Sequence, residues 1–170
     1  MKELACQFGT GGRLHGVLTT ADQRESRYPV MILVSAGFMA KTGPYRLYRQ
    51  IAHRLADLGV ATLRFDLGGI GNSEQIDPGL PLIERTRIDI ADAMDFIAER
   101  YPQAPLILGG LCSGAEDSFR HAAIDERVRG VLMIDPHAYR TGSWSVRNVL
   151  SRHFLNRIAY KALRVFRLIR

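Results

Sequence analysis

The stretch GGLCSGAED, residues 109–117, decides how the rest of the sequence is interpreted. It follows the apolar run PLIL (residues 105–108) and leads into a segment with helical periodicity. A glycine pair, a cysteine, a serine and a third glycine at the end of a strand are typical of a sharp turn that exposes a nucleophilic side chain ahead of a helix. The stretch therefore predicts a strand–turn–helix unit whose turn carries a reactive residue.

Two residues of this turn are candidates for the nucleophile, and the spacing of small residues separates them. Small residues are needed two positions before and two positions after the nucleophile, because the strand and the helix approach closely there. With Cys112 at the centre, these positions hold Gly110 and Gly114. With Ser113 at the centre, one of them holds Leu111, whose side chain would crowd the turn. The register therefore favours Cys112.

The chemistry of a thiol points the same way. A thiolate is a stronger nucleophile than a hydroxyl, and the positive end of a helix that begins near Ser113 would favour it. Two other interpretations stay open at this point. Ser113 could be the nucleophile, or Cys112 could be a buried, unreactive residue in a tight glycine turn, since free cysteine is among the most buried residue types.

Strands and helices alternate on both sides of this turn. The apolar patterns predict strands at 3–8, 14–20, 28–37, 60–67, 104–112 and 128–136, and helices at 45–58, 83–97 and 114–124. Such alternation implies parallel strands joined by helical crossovers. The glycine-rich GTGGR (9–13) predicts an antiparallel hairpin at the start. The predicted fold class is therefore α/β, a mostly parallel sheet of about six strands with an antiparallel N-terminal hairpin and helices on both faces.

Charge divides the chain into two parts. The formal net charge is +6, but residues 142–170 carry seven basic side chains and no acidic one, so the body, residues 1–141, is close to neutral. This distribution argues against a nucleic-acid-binding surface. The N-terminal residues lack the features of a signal peptide, no apolar run is long enough to span a membrane, and the two cysteines are far apart. We therefore expect a cytoplasmic protein without disulfide bonds.

Three segments that follow predicted strands resemble, in the same order, the site loops of the α/β-hydrolase superfamily. They are SAGF (35–38), RFDLGGIGNSE (64–74), which is similar to a D-x-x-G-x-G-x-S loop, and GGLCSGA (109–115). Together with AGFMAKTGPYRLYRQIAHRLADLG (36–59), they are most similar to bacterial hydrolases of the serine-aminopeptidase-like group, including hydrolases associated with exosortase systems. The resemblance implies acyl-transfer chemistry on a small-molecule ester, thioester, lactone or amide, without a cofactor or a metal ion.

The resemblance also implies roles for residues of the first and third segments. The backbone N–H groups of Phe38 and Ser113 would form the oxyanion hole, where two donors stabilise the tetrahedral intermediate. Gly37 would let the backbone approach the substrate, and the ring of Phe38 would line the site.

The second segment has an alternative interpretation as a nucleotide-binding loop. Gly69 and Gly71 follow a strand, but the third glycine of a dinucleotide fingerprint and the helix after it are missing, so no nucleotide cofactor is predicted. We expect Asp66, Gly68 and Ser73 to hold the loop by local hydrogen bonds instead.

This superfamily places its histidine base after the last strand of a longer sheet, the eighth strand. Only one strand is predicted after the turn at Cys112, so the region that should hold this histidine is absent from the sequence. Asp135, at the end of the last predicted strand, is the candidate acid, and His137 lies nearby but at a different point of the topology. The other histidines are His15 on an early strand, His53 on the first helix, His121 on the helix after the turn, and His153 in the tail. We expect His121 to lie on the helix surface. The sequence thus predicts either the front part of a longer hydrolase or a non-catalytic relative.

The basic tail, residues 142–170, begins where many members of the superfamily insert a cap over the site. Its apolar and basic pattern also allows a helix that lies on a membrane surface. Two alternative functions stay open. One is an acyltransferase that holds a thioester on Cys112, because G-x-C-x-G is similar to the cysteine box of polyhydroxyalkanoate synthases. The other is a non-catalytic scaffold whose tail binds a membrane or a partner.

Overall fold

The computed structural model of the chain describes residues 1–21 and 29–136. Six strands and three α-helices alternate over these residues. The strands are β1 (Lys2–Phe8), β2 (Leu14–Thr20), β3 (Val30–Val34), β4 (Thr62–Phe65), β5 (Leu106–Leu111) and β6 (Val128–Ile134), and the helices are α1 (Leu47–Asp57), α2 (Leu82–Arg100) and α3 (Ser113–Ala122). Each predicted strand and helix is present, and the differences are confined to a few residues at the ends.

The six strands form one sheet in the order β1-β2-β4-β3-β5-β6. Strands β1, β2 and β4 pair antiparallel in turn, whereas β4, β3, β5 and β6 pair parallel. The predicted α/β fold, with a mostly parallel sheet and an antiparallel hairpin at its start, is therefore confirmed. Because four neighbouring strands run the same way, the loops after β3, β4, β5 and β6 all leave from one edge of the sheet, where binding sites of such folds lie.

Helices cover both faces of the sheet, which is clearest at the central strand β3. Its alternate side chains join two separate apolar clusters, Val30, Ile32 and Val34 with α2 on one face and Met31 and Leu33 with α1 on the other. All five residues of the strand are buried. Burial on both faces explains why this strand is apolar throughout instead of alternating.

The helices begin and end close to the predicted residues, but their buried faces differ in detail. Gly59 ends α1 with φ 83°, a conformation that glycine adopts without strain. Leu58, which the helical spacing places in the apolar stripe, is 69% exposed, because it lies beyond the last turn of the helix. Ile83 in the first turn of α2 is likewise exposed.

Several predictions fall on residues that the structure does not describe. The basic tail at 142–170, with its predicted cap or membrane-binding helix, lies outside the described residues, as do His137 and His153. Within residues 1–21 and 29–136, no helix is long and apolar enough to cross a membrane.

Candidate active site

The turn between β5 and α3 consists of a single residue, Cys112. Strand β5 ends at Leu111 and α3 begins at Ser113, so that Cys112 is the N-cap of the helix. Its backbone has φ 53° and ψ −120°. A positive φ is rare for a residue with a side chain and persists only where the surroundings impose it, which happens mostly at functional sites. The strained residue of the turn is thus the cysteine and not the serine.

The two glycines around Cys112 are required by close contacts between backbone atoms. A Cβ atom added to Gly110 would lie 2.5 Å from the carbonyl carbon of Gly114. A Cβ atom added to Gly114 would lie 2.5 Å from the carbonyl oxygen of Val34 at the end of β3. Neither position has room for any side chain. The small residues therefore stand where the sequence pattern with Cys112 at its centre requires them.

The loop after β3 approaches the start of α3. Gly37, with φ 52°, donates its backbone N–H to Ser113 Oγ at 2.9 Å. The next N–H along this loop belongs to Phe38, which has no acceptor among the described residues. The N–H of Ser113 is in the first turn of α3, where backbone donors have no acceptor within the helix. The ring of Phe38 is 97% exposed over the described residues, so it forms no packed wall there.

A buried tyrosine joins the two strands that carry these loops. The hydroxyl of Tyr48 on α1 donates to the carbonyl oxygen of Val34 at 2.9 Å and accepts the N–H of Leu111 at 2.7 Å. Burial raises the pKa of the Tyr48 phenol, which keeps the hydroxyl protonated as a donor. The sequence interpretation missed Tyr48. Its burial could have been predicted from its spacing of four and eight residues from Ala52 and Ala56, because the three residues together form the buried face of α1.

The loop after β4 is held mainly by contacts with other parts of the chain. Ser73 Oγ donates to the carbonyl oxygen of Asp66 at 2.7 Å, the local hydrogen bond that the sequence predicts. The carboxylate of Asp66, however, accepts both the backbone N–H and the Nζ of Lys41 from the loop after β3. Gly68 donates its N–H to Asp89 on α2 at 2.7 Å. Ser73 Oγ also accepts the backbone N–H of His15 on β2 at 2.9 Å. The predicted residues do hold this loop, but all three also make contacts across the fold, and of these bonds only the one from Ser73 to Asp66 is local.

Asp135 lies beside the turn at the same edge of the sheet. It follows β6 directly, and the carbonyl oxygen of the preceding Ile134 accepts the N–H of Cys112 at 3.0 Å. Asp135 is exposed and has φ 46°, so it shares with Cys112 an uncommon backbone conformation at the end of a strand. The geometry thus brings the candidate acid into the neighbourhood of the candidate nucleophile.

The described histidines have other partners. His15 is near Gln7, and β4 and β3 separate its strand from β5, roughly 14 Å at the usual strand spacing. His53 lies 3.0 Å from Glu3 of β1, on the antiparallel side of the sheet. His121 is 4% exposed, so the prediction that it lies on the helix surface is wrong. It is buried because α3 packs against α2 as well as against the sheet.

A cavity of about 150 Å³ lies between α2 and α3, away from the turn. Three isoleucines, Ile83, Ile90 and Ile124, line it together with His121 and with polar or charged residues of α2 and α3, and none of its lining residues belongs to the loops at the carboxyl edge. Burial lowers the pKa of His121. Residues 1–21 and 29–136 also contain no group of three or more histidine, cysteine, aspartate or glutamate side chains that could hold a metal ion.

Comparison with known proteins gives one family match for the chain. A family model described as serine aminopeptidase, S33, matches residues 19–164. No curated protein matches the chain.

Solved structures with the same fold are longer than this chain. The α/β hydrolase GrgF from Penicillium sp. sh18 is similar with a TM-score of 0.70 at 24% identity, over 95% of this chain and 55% of that one. XC6422 from Xanthomonas campestris, an α/β serine hydrolase without a lid, gives a TM-score of 0.65 at 22% identity, over 83% and 64%. An α/β serine hydrolase homologue from Coxiella burnetii gives a TM-score of 0.63 at 20% identity, over 85% of this chain and 66% of that one. The chain therefore spans between about half and two thirds of these structures.

Proposed function

The chain belongs to the serine aminopeptidase S33 family of α/β-hydrolases, and from this premise we propose that it transfers acyl groups through Cys112. The substrate class is a small ester, thioester, lactone or amide, and the chain is a hydrolase when water is the final acceptor. The single observation that carries the proposal is the backbone of Cys112, which has φ 53° between two glycines that admit no side chain.

The proposed first step is attack of the Cys112 thiolate on the carbonyl carbon of the substrate. A carbon–sulfur bond forms, and the carbonyl electron pair moves to oxygen, which becomes an oxyanion. The N–H groups of Phe38 and Ser113 donate to that oxygen, and one such donor is worth about 100- to 1,000-fold in rate at comparable sites. Collapse of this intermediate re-forms the carbonyl and breaks the bond from the carbonyl carbon to the leaving oxygen, sulfur or nitrogen. The leaving group takes a proton from solvent and departs as the alcohol, thiol or amine, and a thioester stays on Cys112.

The second step needs a general base for the incoming water. The described histidines His15, His53 and His121 have partners or positions that do not serve this role. We propose Asp135 as the acid that would orient a base, because it follows the strand next to β5. The base itself is proposed to come from outside residues 1–136, which is compatible with solved relatives of greater length.

The test is acylation of the folded protein by p-nitrophenyl acetate, followed by intact-mass and peptide-mass analysis. We expect one acetyl group per chain, located on Cys112, and release of one equivalent of p-nitrophenol. Cys112→Ala should lose both signals. Cys6→Ala is the matched control, because Cys6 on β1 is the other cysteine of the chain, and it should keep both. Equal acylation of Cys112→Ala would refute the proposal, and acetylation of Ser113 would move the role to the serine.

A cysteine nucleophile also supports acyl transfer to an acceptor other than water. The thioester is an activated acyl donor, so its fate depends on which acceptor reaches it. Adding an alcohol or a thiol to the acylated protein and analysing the products separates the two reactions. An excess of the transferred product over free acid would favour an acyltransferase.

The proposed membrane or partner contact of residues 142–170 is independent of this chemistry. We expect salt-sensitive binding to vesicles that contain anionic lipid, because the tail carries seven basic side chains. Deleting residues 142–170 should abolish it. Binding that survives the deletion, or that high salt does not weaken, would contradict the proposal.

A further inference from the structure

Two hydroxyl groups join the loop after β3 to the turn at Cys112. The first belongs to Tyr48, which lies between the carbonyl oxygen of Val34 and the N–H of Leu111. Val34 and Leu111, to which these two atoms belong, are the last residues of β3 and β5. The second belongs to Ser113, whose Oγ accepts the N–H of Gly37. One hydroxyl thus acts at the base of the two loops and the other nearer their tips.

The position of the Tyr48 hydroxyl follows from where the sheet stops. The parallel pairing of β3 with β5 ends at Val34 opposite Gly110, so the next residue, Leu111, is one step past the ladder on the β3 side. The tyrosine oxygen accepts the N–H at that step and returns a hydrogen bond to β3. It therefore extends the connection between the strands by one residue, to the position directly before Cys112.

The tyrosine itself is held firmly. It is 1% exposed on the buried face of α1, and its backbone N–H donates to the carbonyl oxygen of Thr42 at 3.0 Å. A Cβ atom added to Gly43, which has φ 68°, would lie 3.0 Å from its ring. Because the ring is fixed on two sides, its hydroxyl is a rigid reference point for both loops.

The Ser113 hydroxyl determines which N–H of the loop is left for a substrate. It occupies the N–H of Gly37, and the following N–H, that of Phe38, stays available among the described residues. The same residue offers its own backbone N–H at the start of α3. The side chain and the backbone of Ser113 therefore act on different halves of the proposed oxyanion hole.

We infer that the hydroxyls of Tyr48 and Ser113 are positioning groups that set the separation between the two oxyanion donors, an inference that rests on the proposed function. Neither hydroxyl touches the reacting atoms. Each acts through the loop or strand end that it holds. A displacement of about 1 Å in such a site can cost roughly a hundredfold in rate, so loss of either hydroxyl should slow acylation.

The experiment compares two reactions of Cys112 in Tyr48→Phe and Ser113→Ala. Acylation by p-nitrophenyl acetate passes through an oxyanion, whereas alkylation by iodoacetamide displaces iodide and forms none. We expect the acylation rate constant to fall about ten- to a hundredfold in each variant, with the ester concentration at half-maximal rate nearly unchanged. Alkylation should change by less than about threefold, because it does not use the oxyanion hole.

Matched controls separate positioning from general damage. Tyr45→Phe removes the hydroxyl of a tyrosine that is 98% exposed and should leave both reactions unchanged. Ser113→Thr keeps a hydroxyl at the same place and should recover most of the acylation rate. Circular dichroism checks that each variant is folded, and Ser113→Ala keeps the inference testable if Tyr48→Phe does not fold.

The outcomes distinguish the inference from the proposed function. If Cys112 is acylated equally fast in the wild type, Tyr48→Phe and Ser113→Ala, the positioning role is refuted while the nucleophile stands. Parallel losses of acylation and alkylation would also refute it, since they would mean that the turn as a whole is disturbed. If Cys112→Ala is acylated like the wild type, the proposed function fails first, and the inference with it.

Discussion

Helix α3 is packed in opposite ways at its two ends. At its start, Gly110 of the preceding strand and Gly114 of the helix have no room for a Cβ atom, and the cap residue Cys112 is held in a strained conformation. At its other end, His121 borders a cavity of about 150 Å³, and its Nδ1 is buried with no hydrogen-bond partner among the described residues. Close packing fixes geometry, whereas a cavity leaves freedom to relax. The comparison indicates that the backbone is most tightly constrained at the end of α3 that presents the proposed nucleophile.

The largest effect on stability is expected from adding one methyl group at the closely packed start of α3. In Gly114→Ala the new Cβ would meet the carbonyl oxygen of Val34, a backbone atom that cannot move without disturbing β3. We expect the free energy of unfolding to fall by about 3 kcal/mol, measured by urea denaturation.

Gly130→Ala on β6 is the matched control for that change. There the nearest atom to an added Cβ, Cγ1 of Ile107, lies at 3.6 Å, an ordinary contact. We expect stability to be unchanged or raised by less than about 1 kcal/mol, because alanine in a strand loses less entropy on folding than glycine. Equal losses in the two variants would contradict the idea that the tight end of α3 is special.

The fold could be predicted from the sequence because its signals are local and repeated. The run at β3 is apolar in every position because both faces of the strand are covered. The spacing of Gly110, Cys112 and Gly114 is enough to predict the turn between β5 and α3. The nearness of Asp135 to the turn also follows from strand order. These features depend on residues within a few positions of each other or on general rules of parallel sheets.

The supporting contacts could not be predicted in the same way. The hydrogen bonds of Tyr48 to Val34 and Leu111 connect residues that are 14 and 63 positions apart in the chain. His121 shares the buried stripe of α3 with Gly114, Ala115 and Ser118, but these residues are small or polar and give no hydrophobic signal, so its burial is visible only in the packing of α3 against α2 and the sheet. Such contacts arise from the tertiary arrangement, so a sequence pattern identifies the turn and not the groups that hold it.

A smaller effect is expected from releasing the strain at Cys112. Cys112→Gly and Cys112→Ala both remove the thiol, so neither should be acylated at this position. Glycine adopts a positive φ without strain, whereas alanine keeps the strained conformation. We expect Cys112→Gly to be more stable than Cys112→Ala by about 1 kcal/mol in urea denaturation. Equal stability would mean that the positive φ carries no cost, and the contrast between the ends of α3 would weaken.

The smallest effect on stability should come from the protonation of His121, beside the cavity at the other end of α3. Burial lowers its pKa below the ordinary value of 6.5. The unfolded chain therefore binds a proton that the folded chain does not, once the pH falls below about 6.5. The stability that the neutral ring contributes is complete above that pH and is lost as the pH falls. Nearby charged groups that act on the ring are Asp125, Arg127 and Arg87.

His121→Gln tests the sign of this dependence. We expect the variant to lose less stability than the wild type between about pH 7.5 and about pH 5.5, by less than about 1 kcal/mol, in urea denaturation. An opposite result, with the wild type gaining relative stability in acid, would mean that protonated His121 is stabilised by Asp125, whose Oδ2 lies 3.7 Å from Nε2. The far end of α3 would then be held by an ion pair, and only its cavity would still distinguish it from the end at Cys112.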